Sequence, residues 1–220
     1  IQSNVIAKNC RVINNFVQGS QARIFGIRGF SVPITALIEN CEFYGASEGI
    51  KIGRGLWEAL SYRIKFIDSE FYNCSQLMSI FKCDDIYLDN VISERLDTSL
   101  IKDGQDKNHH FYISHASHVV CNNVKTKSPY GVTSGRGVRM SGDGADLNPA
   151  EDVTFLGCHF EGGAANHITN YRDVKFIGCD FLNTKYMFDG AFSSDITFTN
   201  CAVNSNASGM SLFNLNGECT

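Results

Sequence analysis

An all-β chain wound as a parallel β-helix is the fold this sequence predicts. Three observations predict it: a nine-residue phrase that recurs along the chain, an apolar/polar alternation inside the phrase, and a turn residue at one fixed place in it. The clearest copies are residues 152–160 (DVTFLGCHF), 173–181 (DVKFIGCDF) and 195–203 (DITFTNCAV). Their cysteines, Cys158, Cys179 and Cys201, stand 21 and 22 residues apart. Self-similarity at a near-constant period is the mark of a solenoid.

In chain order the looser copies come first. Residues 4–12 and 35–43 place Cys10 and Cys41 in the cysteine slot. Residues 63–71 place Ser69 there, and residues 85–91 and 118–124 place Val91 and Val124. With the three clear copies this makes eight, spaced 21 to 34 residues apart. Within each, apolar residues such as Ile64 and Phe66, or Val174 and Phe176, alternate with polar ones. A period of two means a strand with one buried face. The residue before the slot is Asn9, Asn40, Asp68, Asn90, Asn123, Gly157, Gly178 or Asn200. Gly, Asn and Asp enter the left-handed region at least cost, so each repeat bends at the same point. The chain then turns inward through the slot and, two places on, through Phe43, Phe71, Phe160 and Phe181.

A second apolar strand follows in most copies: residues 49–53, 77–81, 100–102, 138–141, 167–169, 186–188 and 210–213. Two strands, a sharp bend and a period near 22 residues describe one rung, and rungs stack at about 4.8 Å. A β-sandwich also has many short strands, but it does not predict one phrase repeated with Asn and Cys in register. Helix is expected nowhere, except for one turn at residues 56–60.

The 220 residues form one domain, since the repeat runs from residue 4 to about 213 without a linker. The net charge of −4 offers no broad basic surface for nucleic acid. No apolar run reaches membrane-spanning length. Neither end carries a polar cap of the kind a solenoid needs. The expectation is therefore a piece of a longer chain, or an oligomer whose neighbours close the ends. Nine cysteines, five or six at inward strand positions, read as small apolar core fillers that stay as free thiols. That implies assembly in a reducing compartment. No Cys-x-x-Cys cluster suggests a metal, and no cofactor is expected.

Chemistry is expected where the repeat lengthens. Intervals of 33 and 34 residues separate Val91, Val124 and Cys158, so two successive rungs carry about a dozen extra residues each. The first insertion, 102–112 (KDGQDKNHHFY), holds Asp103, Asp106 and His109. The second contains 134–146 (SGRGVRMSGDGAD), with Arg136, Arg139, Asp143 and Asp146. Both insertions read as leaving the second strand through Asp-Gly, at Asp103 and Asp143, which puts the two aspartates on neighbouring rungs of one flank. Paired carboxylates are what glycosidic cleavage uses, about 5 Å apart in retaining enzymes and about 6.5–9.5 Å in inverting ones. Arg136 and Arg139 suit an acidic sugar, because guanidinium grips carboxylate with two prongs. His109, Asp106 and Asp146 lie beside them, and Trp57 in the insertion 53–62 offers an indole to a sugar ring. Asp-Gly is also ordinary turn chemistry.

The repeat, the Asn-bend ladder (Asn40-Cys41, Asn90-Val91, Asn123-Val124, Gly157-Cys158, Gly178-Cys179, Asn200-Cys201) and the GIKIG strand resemble the pectin-lyase-like superfamily. These are right-handed parallel β-helices, and the chain is most similar to those of bacteriophage tailspikes. The resemblance spans nearly the whole chain. It implies a protein that binds a bacterial capsular, exo- or O-antigen polysaccharide along its flank and cleaves it by hydrolysis or lysis. It also implies a homotrimer assembled in the host cytoplasm and carried on the virion tail. The Asp clusters that hold calcium in pectate lyases are missing from this sequence. The expected function is endo-cleavage of such a polysaccharide with Asp103 and Asp143 as the catalytic pair. The alternatives are a non-catalytic binding or shaft module, and a secreted bacterial polysaccharide lyase or epimerase at the cell surface.

Overall fold

A computed structural model describes residues 3–13, 23–27, 34–52, 62–81, 84–95, 109–128, 136–141, 150–162, 166–184, 186–191, 194–204 and 211–215. These residues are all-β, contain no helix, and pair their strands in parallel. One sheet has eight strands: β1 Ser3–Lys8, β4 Ile34–Glu39, β6 Tyr62–Ile67, β8 Asp84–Asp89, β11 Ser117–Asn122, β14 Ala150–Leu156, β17 Tyr171–Ile177 and β20 Ser194–Thr199. Each is the front half of one copy of the phrase, and each pairs with the next copy in register.

The other sheet has fourteen strands in two limbs. The first limb is the back half of the phrase: β2 Arg11–Ile13, β5 Glu42–Ile52, β7 Glu70–Phe81, β9 Ile92–Glu94, β12 Lys125–Lys127, β15 His159–Glu161, β18 Asp180–Leu182 and β21 Ala202–Asn204. The second limb is β3 Arg23–Ile27, β10 His109–Ser114, β13 Arg136–Ser141, β16 Asn166–Thr169, β19 Tyr186–Ala191 and β22 Ser211–Leu215. The long strands β5 and β7 belong to both limbs, pairing β2 and β9 at one end and β3 and β10 at the other. A repeat therefore has three strands where the sequence suggests two. The difference arises because the bend divides the phrase itself into two strands. Stacked parallel sheets in this order are compatible with a parallel β-helix.

The bends fall where the sequence puts them. Asn9, Asn40, Asp68, Asn90, Asn123, Gly157, Gly178 and Asn200 all have φ between 47° and 61°. The N–H groups of the first seven donate across to the next copy, as Asn9 does to the Glu39 carbonyl at 3.1 Å. A second left-handed series stands at the head of the phrase, at Asp85, His118, Asp152, Asp173 and Asp195. This explains the recurrent aspartate there, since short polar side chains tolerate that region best.

Behind the bend the slot residue has a specific task. Cys158 Sγ lies 3.2 Å from the Cys121 carbonyl, and Cys179 Sγ lies 3.4 Å from that of Phe155. Ser69 donates its hydroxyl to the carbonyl two residues back, Ile67 at 2.9 Å, as Cys158 does to Leu156 at 3.6 Å. In six of the eight copies the slot holds Cys or Ser, a small side chain whose donor meets a nearby carbonyl, whereas Val91 and Val124 fill it by apolar packing alone. The described cysteines are free, and Cys41, Cys74, Cys121, Cys158 and Cys179 are buried while Cys10 is exposed. Inside, Phe155, Phe176 and Phe198 stack at 4.7 and 4.8 Å, and Phe160 stacks on Phe181 at 5.3 Å.

The expected second strand at residues 100–102 and the turn at residues 56–60 lie outside the described residues. The strand that pairs between β7 and β13 is β10. His109, His110 and Phe111 are therefore buried strand residues, although the sequence reads them as part of an insertion.

Candidate functional site

In the second limb, inward residues alternate with a single outward row. Phe111 and Ile113, Val138 and Met140, and Ile168 are buried. Between them Tyr112 pairs with Arg139, and Arg139 pairs with His167. Three successive strands thus present Tyr, Arg and His at the strand spacing of about 4.8 Å. β10, β13 and β16 together contain His109, His110, Arg136, Arg139 and His167 and no Asp or Glu. His109 and His110 are buried, and on the next strand, β19, Asp189 pairs in register with His167.

Two of the arginine's contacts are to β10. Arg139 Nη1 lies 3.5 Å from His109 Nε2, and its Cζ lies 5.6 Å from the centre of the Tyr112 ring. The His109 and Tyr112 rings are 6.3 Å apart and nearly parallel, at 23°. A guanidinium can only donate, so the His109 Nε2 accepts and its proton resides on Nδ1. His109 is 3% exposed. One strand on, His167 Nε2 meets Thr169 Oγ1 at 2.9 Å.

Beneath this face the interior changes character. The slot that holds Phe43, Phe71, Phe160 and Phe181 elsewhere holds Ser93 on β9 and Thr126 on β12. His110 occupies the space, with Nδ1 2.7 Å from Ser93 Oγ and Nε2 2.9 Å from Ser128 Oγ. Burial, then the charge of Arg95 and then His109, hold its imidazole well below the ordinary pKa. Arg95 is itself buried and donates Nε to the Cys74 carbonyl at 3.1 Å. Burial lowers its guanidinium to about 9, so it stays charged at neutral pH.

Of the residues the sequence singles out, Arg139 and His109 are brought together. Arg136 pairs in register with His109 on the neighbouring strand. Asp103, Asp106, Asp143, Asp146 and Trp57 lie outside the described residues.

An in-register carboxylate pair does occur elsewhere, at Glu42 and Glu70 on the outer face of β5 and β7. Each bonds the tyrosine two places on: Glu42 Oε2 meets Tyr44 Oη at 3.2 Å, and Glu70 Oε2 meets Tyr72 Oη at 2.6 Å. Arg11 adds an ion pair to Glu42 at 3.2 Å. The Glu70 bond, then burial, raises the Tyr72 phenol well above its ordinary pKa. The tyrosine rings stack at 5.1 Å. These carboxylates are engaged in holding a tyrosine ladder.

Sequence reasoning missed Tyr112 and His167. The signal was present: each is the polar or amphipathic residue next to the inward apolar positions of a second-limb strand, as Arg139 is between Val138 and Met140. Among the described residues, no group of three His, Cys, Asp or Glu side chains is placed to hold a metal ion. In comparison with known proteins, no family model and no curated protein matches the chain.

Proposed function

We propose that the chain is a right-handed parallel β-helix of a bacteriophage tailspike or similar recognition protein, and that it binds and cuts a bacterial surface polysaccharide. The observation that carries the reading is the outward row Tyr112–Arg139–His167 on three successive strands that hold no acidic residue. A flat aromatic, a guanidinium and an imidazole in line suit a long polar chain lying along the sheet. The cutting step belongs in this reading to Asp103 and Asp143, one as acid and the other as base or nucleophile. Arg136 and Trp57 add contacts to the sugar, and the protein works as a homotrimer on the virion tail.

The test is incubation of the chain with capsular, exo- and O-antigen polysaccharides, followed by size-exclusion chromatography. Conversion of one polysaccharide to short, regular oligomers, lost in Asp103→Asn or Asp143→Asn, supports the reading. Full activity in both variants removes the proposed pair. Absorbance near 235 nm in the products marks lysis rather than hydrolysis.

A second reading, a binding module without cleavage, is favoured by two observations. The row Tyr112–Arg139–His167 supplies binding groups alone, and the in-register carboxylates Glu42 and Glu70 are already bonded to tyrosines. Retention of one polysaccharide on the immobilised chain without any shortening selects that reading.

A further inference from the structure

We infer that Cys10 and Cys41 are a redox modification site, a thiol pair that takes a small-molecule disulfide as oxidant and closes into a bond between two successive repeats. The site stands apart from the polysaccharide reading. Its two cysteines occupy the slot of neighbouring copies, each one step after a bend, at Asn9 and Asn40. Lys8 pairs with Glu39 in register before them, and Arg11 pairs with Glu42 after them, which holds Cys10 opposite Cys41. The Glu42 N–H also donates to the Cys10 carbonyl at 2.9 Å. In-register neighbours on parallel strands lie about 4.8 Å apart, inside the roughly 4.4–6.8 Å that a disulfide spans between Cα atoms. The two thiols are already in hydrogen-bonding contact.

The pair is asymmetric. Cys10 is exposed and Cys41 is buried, so a reagent from solvent meets Cys10 first. Burial raises the Cys41 thiol, and only a thiolate attacks. On its other side Cys41 faces Ser69, whose hydroxyl accepts from the Cys41 N–H at 3.3 Å. A serine forms no disulfide, so the slot offers Cys41 a sulfur on one side alone. The column Cys158, Cys179 and Cys201 differs, because Cys179 there contacts a thiol on both sides.

The Cys10 thiolate attacks one sulfur of the small disulfide, forms a mixed disulfide and expels a small thiolate. Cys41 then gives up its proton and attacks the Cys10 sulfur, and the second small thiolate leaves. Two protein thiols lose two electrons and two protons, and the small disulfide becomes two thiols. Contact makes the second step intramolecular, so the mixed disulfide does not accumulate. Oxidation ends the thiol donations from Cys10 to the Lys8 carbonyl and from Cys41 to the Glu39 carbonyl, each at 3.3 Å. In return the bond staples β1 and β2 to β4 and β5 and constrains the unfolded chain.

The test treats the reduced 220-residue chain with oxidised glutathione at pH 8, without denaturant, and maps the products by mass spectrometry before and after dithiothreitol. The expected product is a linked Cys10–Cys41 peptide pair, lighter by two hydrogens, with loss of Cys10 alkylation, and reduction reverses both. Cys41→Ser, which gives this slot the residue found at position 69, should instead hold glutathione on Cys10. Cys10→Ser should leave Cys41 unmodified over the same time, and glutathione on Cys41 there overturns the role of Cys10 as the point of entry. In the unsubstituted chain, lasting glutathione on Cys10 without a link overturns the pair. An unmodified Cys10 also overturns it, as does a link from Cys10 to another cysteine or to a second chain. These outcomes need no variant to fold.

Discussion

Asn90 donates its side-chain amide to Asp68 Oδ1 at 2.7 Å, one step of a ladder that climbs the bends of successive repeats. Asn123 donates in turn to Asn90 Oδ1 at 3.0 Å, and Asn40 donates to Asn9 Oδ1 at 2.7 Å. Each amide gives a hydrogen to the repeat before it. Asp68 breaks the series, because an ionised carboxylate has no hydrogen to pass to Asn40. Asp68→Asn should supply the missing link at an unchanged φ of 47°. The site is exposed, so the expected gain is small, about 0.5–1 kcal/mol. A higher urea midpoint with an unchanged slope is the result to look for. No rise would mean that water already serves Asn40 as well as a neighbour would.

The phenylalanine column sets a larger scale. Phe176 lies between Phe155 at 4.7 Å and Phe198 at 4.8 Å and is fully buried. Phe176→Ala opens a void lined by rings that sheet pairing holds in place, so collapse is limited. The expected cost is about 3–5 kcal/mol. Phe198→Ala should cost less, because Phe198 is only partly buried. Equilibrium unfolding of the two variants gives the order, and equal losses would contradict the burial difference.

Thiol chemistry should separate the cysteines by position. Cys10 is exposed, whereas Cys121, Cys158 and Cys179 are buried. Burial raises the Cys121 thiol, and contact with Cys179 followed by burial raises that of Cys158. Only the thiolate attacks an alkylating reagent. Labelling of the native protein at pH 8, mapped by mass spectrometry, should therefore mark Cys10 well before Cys121 or Cys158. Cys158→Ser should retain more stability than Cys158→Val, because the hydroxyl keeps a donor for the Cys121 and Leu156 carbonyls, and Ser69 already serves the carbonyl two residues before it in its own repeat. Equal stability of the two would show that the slot asks only for a small side chain.

Much of this architecture was legible in the residues. Period-two alternation and a fixed Asn or Gly place the front strand, the bend and the inward slot of every repeat, because local sterics decide them. The third strand was harder to place. β10 follows its bend by 19 residues, from Asn90 to the first strand residue at His109, and the local pattern does not show where pairing resumes. His109 and His110 were consequently assigned to an insertion. Only the register of β10 against β7 and β13 makes them wall and interior. The pairing of Arg139 with His109 likewise depends on two segments 30 residues apart becoming neighbours, which no local signal carries.

Acid should loosen the middle repeats through His110. In the folded chain its imidazole bridges Ser93 and Ser128 and is neutral, held below its ordinary pKa of 6.5 by burial, Arg95 and His109. In the unfolded chain it takes up a proton as pH falls below about 6.5. The unfolded state then binds more protons than the native one, so stability decreases with falling pH. The effect is absent at pH 7.5 and above, begins near 6.5, and grows until the pH reaches the depressed native value. One proton corresponds to a slope of at most about 1.4 kcal/mol per pH unit. Urea unfolding at pH 7.5 and pH 5.0 measures the drop. His110→Gln, which keeps a neutral donor and acceptor near both serines, should make the drop smaller by that one proton. An equal drop in the variant would place the acid sensitivity in other groups and mean that His110 is as easily charged in the fold as outside it.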